Sequence, residues 1–386
     1  MHFVALKMLI GDRSKYLGII MGLTFASLLI TQQAAIFVGL MTRTYGFITD
    51  TGQADIWVMD PKVQFIDDIK PLQDTQLFRV RSVEGVEWAV PLYKGLLKAR
   101  LADGTFQTCI VVGLDDATLI GGPPAMVAGQ LADLRRSEAV IVDVVGAGDK
   151  LAKPAPTPGQ PPIPLAIGDT LELNDHRAVV VGLASVSRTF QSQPVVYTTY
   201  SRATVFAPRE RKLLSFVLVK AKAGEDHQAL ATRITRATGL AAYPQDTFKR
   251  MTVDYFMENT GIPINFGIAV ALGFIVGTAI AGQTFYNFTL ENLRHFGALK
   301  AMGASNGTLL RMILLQALMV GSIGYGLGVG AASLFGYLLR DTELSFLLPW
   351  QLLVISAGAV TVICILSALI SIRKVMRLEP AIVFKG

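Results

Sequence analysis

The chain has 386 residues, a formal net charge of +6, and is 52% hydrophobic with only 17% charged residues. Soluble domains carry about a quarter charged residues, so several stretches here are built for lipid, and the lysines and arginines flank apolar runs instead of forming the basic block of a nucleic-acid binder. Cys109 lies in polar sequence and Cys364 in an apolar run, and there is no CxxC or Cys/His cluster, so neither a disulfide nor a structural zinc site is expected.

Residues 1–15 read as an amphipathic segment carrying Lys7, Arg13 and Lys15. A first span follows over about 16–40. It could be a cleaved signal peptide or a retained anchor. Its apolar part exceeds the usual 7–15 residues of a signal peptide and no A-x-A site follows, while Gly18 and Gly22 suit a packed helix, so it is read as an anchor.

Residues 41–263 are a folded domain, not a loop. Ala54 to Met59 is strand-like, Gln73 to Val83 has helical spacing, and Gly85 to Tyr93 is strand-like again. Phe216 to Ala221, Gly224 to Thr238 and Leu240 to Tyr243 repeat that order. The two βαβ halves, about 54–93 and 215–243, can close into one ferredoxin-like layer. Between them, about 95–208 is a β-rich insertion. Asp103-Gly104 and Asn174-Asp175 each stand between apolar runs and signal hairpins. The proline-rich stretch 153–164 is an extended loop, either a partner contact or simply mobile. A helix over 246–258 leads toward the second span, as a lever or as a rigid stalk.

The second span is about 264–286, the third 309–338 and the fourth 352–372; each has the roughly 20 apolar residues needed to cross a bilayer. Gly273 with Gly277, and Gly324 with Gly328, recur at helical spacing, as do Gly326 and Gly330. Small faces let helices approach closely, within one subunit or between two copies. Short-loop charge puts both termini and the loop 287–308 in the cytoplasm, with 41–263 outside. The fold class is therefore four membrane-spanning helices plus an α+β outer domain with a β-rich insertion, ending in a tail over 373–386.

The loop 287–308 is the most informative stretch. Leu293, Phe296, Leu299 and Met302 form an apolar row, Glu291, Arg294 and Lys300 point elsewhere, and Gly303 stands where a helix C-cap favours glycine. A short amphipathic helix of this kind suits a groove on another protein. The run Arg294-His295-Phe296-Gly297-Ala298-Leu299-Lys300-Ala301-Met302-Gly303-Ala304-Ser305 resembles the motif of FtsX-like ABC permeases, the family of MacB, LolC/LolE and DevC. Leu378-Glu379-Pro380-Ala381 is similar to that family's D-P-A ending. The layout of one span, a large outer domain and three spans also agrees, and the DevC type, without a fused ATPase, is the most similar in size. The chain departs from the family at His295, where a glutamate is usual; Glu291 could substitute, and His295 reads equally as a contact or as a solvated surface residue.

The resemblance implies a multi-pass protein of the bacterial inner membrane with a periplasmic outer domain. It implies a partner ABC ATPase that binds ATP and Mg, which push on Glu291, Arg294, His295, Phe296, Gly297, Leu299, Lys300, Met302 and Gly303. It further implies a second permease copy (a homodimer), a periplasmic adaptor of the membrane fusion type and a TolC-like outer-membrane channel, with membrane lipids around the spans and no nucleic acid. Efflux of a lipid-like, peptide or drug-like substrate is the expected task. An FtsX-like regulator of periplasmic hydrolases and a lipoprotein-releasing permease are the alternatives. No G-x-x-x-x-G-K-[ST] loop and no G-x-S-x-G elbow is present, and His2, His176, His227 and His295 are scattered, so no catalytic, cofactor or metal residues are expected on this chain.

Overall fold

The structure, a computed structural model, describes residues 7–9, 11, 13–155, 159–208, 214–340 and 342–376. Much of the 1–15 segment, Pro156 and Pro158 of the proline-rich loop, Asp341 and the Leu378-Glu379-Pro380-Ala381 ending lie outside the described residues. The chain divides into a membrane unit (Met1–Leu40 with Gly261–Gly386) and an outer unit (Met41–Thr260).

Four helices in the described residues are long and apolar enough to cross a membrane: Ser14–Thr44, Ile262–Glu291, Asn306–Leu338 and Trp350–Ile372. Their shared core sets Leu23, Ala26 and Ile30 of the first against Ala281 and Phe285 of the second, Met312, Ala317 and Val320 of the third, and Ile363 and Cys364 of the fourth. The helix over Gln245–Asn259 and the second span are separate elements: Thr260 between them has extended backbone (φ −127, ψ 155), and the span helix starts at Ile262 behind Gly261.

Among its described residues the outer unit has ten strands: β1 (Ile56–Met59), β2 (Val86–Arg100), β3 (Phe106–Leu114), β4 (Ala125–Ala128), β5 (Ala139–Asp143), β6 (Thr170–Leu173), β7 (His176–Ser185), β8 (Val195–Thr199), β9 (Phe216–Ala221) and β10 (Ala241–Pro244). The outermost path runs β10-β1-β9-β2, antiparallel throughout, which is the ferredoxin-like order of two interleaved βαβ halves. Helices Thr75–Arg81 and His227–Thr238 close one face of it through Leu77, Val80, Leu230 and Ile234. Asp226 starts the second of these, its carboxylate accepting the Gln228 and Ala229 N–H groups at 3.3 and 3.1 Å. The opposite face packs Trp57, Val90, Leu92, Phe216 and Leu218 on Phe248.

The strand expected over 85–93 does not stop at Tyr93. β2 runs unbroken for 15 residues, pairing with β9 up to Leu92 and with β3 from Tyr93 onward. It thus belongs to both the ferredoxin-like layer and the insertion. The insertion closes on itself: β2-β3-β8-β5-β7-β6 returns to β2 through Leu173↔Ala99 and Glu172↔Arg100, a six-stranded barrel. Strand alternation gives it two cores. Leu97, Cys109, Val111, Val140, Val142 and Val180 pack together, while Ile110, Val112, Ile141 and Tyr197 join Trp57 and Phe216. The hairpin at Asn174-Asp175 takes positive φ at both residues (54° and 66°), the two-residue turn whose twist matches its strands. Asp143 ends β5 buried, accepting N–H groups of Gly146 (2.7 Å) and Val195 (2.6 Å); burial pushes its carboxyl above the usual range, against those two bonds.

Candidate functional site

The helix of the second span runs on to Glu291, beyond the 286 expected, and Asn292 turns the chain with φ −89 and ψ 10. The Asn292 amide donates to the Phe288 carbonyl at 2.9 Å and so occupies an acceptor at the helix end. A nine-residue helix follows, Leu293–Ala301. It closes at Gly303 (φ +94): Ala304 N–H donates to the Leu299 carbonyl and Gly303 N–H to the Lys300 carbonyl, both at 3.0 Å. That pair of bonds is a Schellman closure, and its left-handed residue favours glycine. Ser305 then caps the third span, its hydroxyl accepting the Thr308 N–H at 3.2 Å.

The helix has two faces. Phe296 and Gly297 are buried, Phe296 completely, in the same core as Phe285, Phe288, Met312 and Ile372. Leu293 and Leu299 pack half-buried on that core. Arg294, His295, Ala301, Met302 and Gly303 are exposed, and Lys300 is half-buried. Met302, at 75% exposure, extends the apolar row off the core and into the open. Of the residues expected to act here, Arg294, His295, Met302 and Gly303 therefore share the accessible side. Phe296, Gly297 and Leu299 lie on the core side and fix the helix.

Glu291 needs a correction. It does not lie in this helix; it is the last residue of the second-span helix, and it forms an ion pair with Lys15 at the start of the first. Nothing in the spacing of charges pointed to that pair. Beside it Thr289 and Ser371 hydrogen-bond inside the core, and Ser371 also donates to the Phe285 carbonyl at 3.1 Å, joining the second and fourth spans.

The four small-residue positions are filled from within. A Cβ on Gly277 would stand 2.3 Å from Ala26 Cβ, one on Gly273 3.2 Å from Leu29 Cβ, one on Gly324 2.7 Å from Leu23 Cβ, and one on Gly328 2.5 Å from Ser27 Cβ. All four meet the first span, so these faces serve packing inside one subunit. Gly326 and Gly330, by contrast, have nothing within 4 Å.

Known proteins resemble this chain along most of its length. The family model described as FtsX-like permease C-terminal matches residues 267–380, and the MacB-like periplasmic core domain matches 17–237, more than half of the chain. An uncharacterized ABC transporter permease of Mycobacterium bovis is 30% identical over 119 residues, 31% of this chain; the match spans about a third (33%) of that relative. An uncharacterized ABC transporter permease of Mycobacterium tuberculosis is 24% identical over 327 residues, 82% of this chain and 80% of the relative. The macrolide export ATP-binding/permease protein MacB of Escherichia coli is 25% identical over 230 residues, 56% of this chain and 35% of that one. Among solved structures, the periplasmic region of MacB from Actinobacillus actinomycetemcomitans aligns with 55% of this chain and 96% of its own, at 15% identity and a TM-score of 0.37.

Proposed function

This chain belongs to the family of FtsX-like ABC transporter permeases with a MacB-like periplasmic core domain, and from that premise we propose that it is the membrane subunit of an ATP-driven export machine. An ABC ATPase binds ATP and Mg and docks on the exposed side of Leu293–Ala301, at Arg294, His295, Met302 and Gly303. The observation that carries this reading is the two-faced build of that helix. Its inner face is locked into the four-span core by Phe296, Gly297 and Leu299, and its end is closed by Gly303. Closely packed interiors transmit displacement. A push on the outer side is therefore carried into the spans instead of being lost in local bending. The first and second spans are the two that continue in sequence into the outer domain, at residues 40–41 and 260–261, and they deliver the motion there.

The rest of the assembly follows the family. Two copies stand in the bacterial inner membrane with termini and coupling helix in the cytoplasm, and the outer domain works in the periplasm with an adaptor and an outer-membrane channel. The cargo is a lipid-like, peptide or drug-like molecule taken up on the outer side.

The test is co-expression with candidate ABC ATPases, purification in detergent and assay of ATP hydrolysis. Wild type is expected to co-purify with an active ATPase, and Arg294→Glu and Met302→Asp are expected to lose it while remaining folded. Failure of every ATPase to bind in any nucleotide state overturns the reading. Both substituted positions are exposed, unlike the buried Gly297, where a new charge would unfold the membrane unit.

A further inference from the structure

We propose that the outer domain holds a binding site for an anionic amphiphile at the fork where β2 changes partners. β2 follows β9 as far as Leu92↔Phe216 and β3 from Tyr93↔Gly113. At the fork Ser215 replaces a rung of the ladder: its hydroxyl accepts the Lys94 N–H at 2.9 Å and donates to the Lys94 carbonyl at 3.0 Å. Next to it opens a cleft of about 450 Å³, apolar at Ile69, Leu96 and Ile110 and polar at Lys94, Asp67 and Ser215. Lys94 is only 3% exposed, which is rare for a lysine. Its ammonium meets Asp67 and stands 5.4 Å from the centre of the Phe47 ring. Among the described residues Asp67 is its one carboxylate partner.

The two halves of this pair are not equivalent. Lys94 is fixed on a central strand, whereas Asp67 lies in the coil between β1 and the Thr75–Arg81 helix and is 26% exposed. Asp67 can turn out to water once another anion takes its place beside Lys94. Lys94 cannot, because a buried charge that loses its partner is strongly destabilising. An occupant must therefore bring its own anion: a carboxylate or phosphate takes the place of Asp67 while an apolar body lies along Ile69, Leu96 and Ile110. A cationic amphiphile would compete with Lys94 for Asp67 and leave the ammonium bare. Asp68, the other acid of the cleft, is held by Lys70 at 2.7 Å. The volume is at the scale of small-ligand sites and admits a body of roughly 10–20 heavy atoms. This assignment stands on the outer domain alone and is independent of the coupling reading.

The test uses the full chain in phosphatidylcholine nanodiscs, titrated calorimetrically with octanoate, octylammonium and octanol against empty discs. Octanoate is expected to bind saturably, one per chain, and at least tenfold more tightly than the other two. Lys94→Met should abolish the binding. Asp67→Asn, which removes the competing carboxylate without removing the lysine, should tighten it several-fold; Lys94→Met/Asp67→Asn, which removes both charges together and leaves neither bare, should bind no octanoate and keeps the test decisive if a single variant fails to fold. Octanoate binding no stronger than octanol, or unchanged by Asp67→Asn, overturns the proposal. Adding phosphatidylglycerol to the discs separates two sources of the anion: competition names a lipid headgroup, an unchanged titration names a free amphiphile, and either supports the site.

Discussion

The outer domain and the membrane unit bury their side chains by different physics. In the outer domain Trp57 is fully buried, with Phe216 and Phe248 at ring-centre distances of 5.4 and 5.6 Å, and water drives that burial. In the membrane unit lipid is as apolar as leucine, so close contact and hydrogen bonds take over. Gly277, Gly324 and Gly328 let the first span approach the others, Ser27 donates to the Tyr325 carbonyl at 3.2 Å, and Tyr325 donates to the Leu353 carbonyl at 2.8 Å. The contrast teaches that removing atoms harms one unit and adding them harms the other.

The largest effect should come from emptying the outer core. Trp57→Ala is expected to cost about 3–5 kcal/mol. Cys109 gives the readout: it is fully buried and its thiol is pushed up to about 12 by burial, so it reacts with thiol reagents only when the barrel opens, and its labelling should accelerate sharply in the variant. Trp57→Phe should cost much less, because the buried indole N–H has no partner among the described residues and its loss relieves an unmade bond. In the membrane unit the sign reverses. Gly277→Val is expected to destabilise by about 1–3 kcal/mol through overpacking against Ala26, while Gly326→Val, with open space around it, leaves thermal stability in detergent unchanged. Equal effects at the two glycines would erase the contrast.

Smaller effects sharpen it. Gly303→Ala has nothing within 4 Å to clash with, so its cost, about 1 kcal/mol, is backbone alone, and Gly303→Asn should recover part of it in thermal melts. The smallest is a pH effect at Asp143. A carboxyl whose folded pKa lies above its unfolded value holds its proton more tightly when folded. That contribution is complete below the ordinary carboxylate pKa and is lost as pH rises through the raised value. Outer-domain stability should therefore decline over that acidic window, and Asp143→Asn should flatten the profile.

The spans were legible because lipid demands long apolar runs, and the βαβ halves because helical and strand periods alternate along 54–93 and 215–243. The barrel was not. β5 and β8 are buried on both faces, so they show no alternation to read, and the β6–β2 pairing that closes the ring is non-local. Gly95 lies inside β2, where the backbone makes room for the Tyr93 ring, whose oxygen would lie 2.4 Å from an added Cβ. At the helix Leu293–Ala301 the residues were legible and their directions only in part. The apolar row continues to Met302, but that residue lies past the helix end at Ala301 and is exposed, off the core that holds Phe296.

One measurement decides whether this helix is the contact. A photo-crosslinking residue at position 302, and in parallel at 299, is placed in the full chain co-expressed with a candidate ABC ATPase. Irradiation should join the ATPase to position 302, with crosslinking strengthened or weakened by nucleotide, and give no product from 299. Equal crosslinking from both, or none from 302 in a complex that still co-purifies, would contradict the two-faced coupling helix.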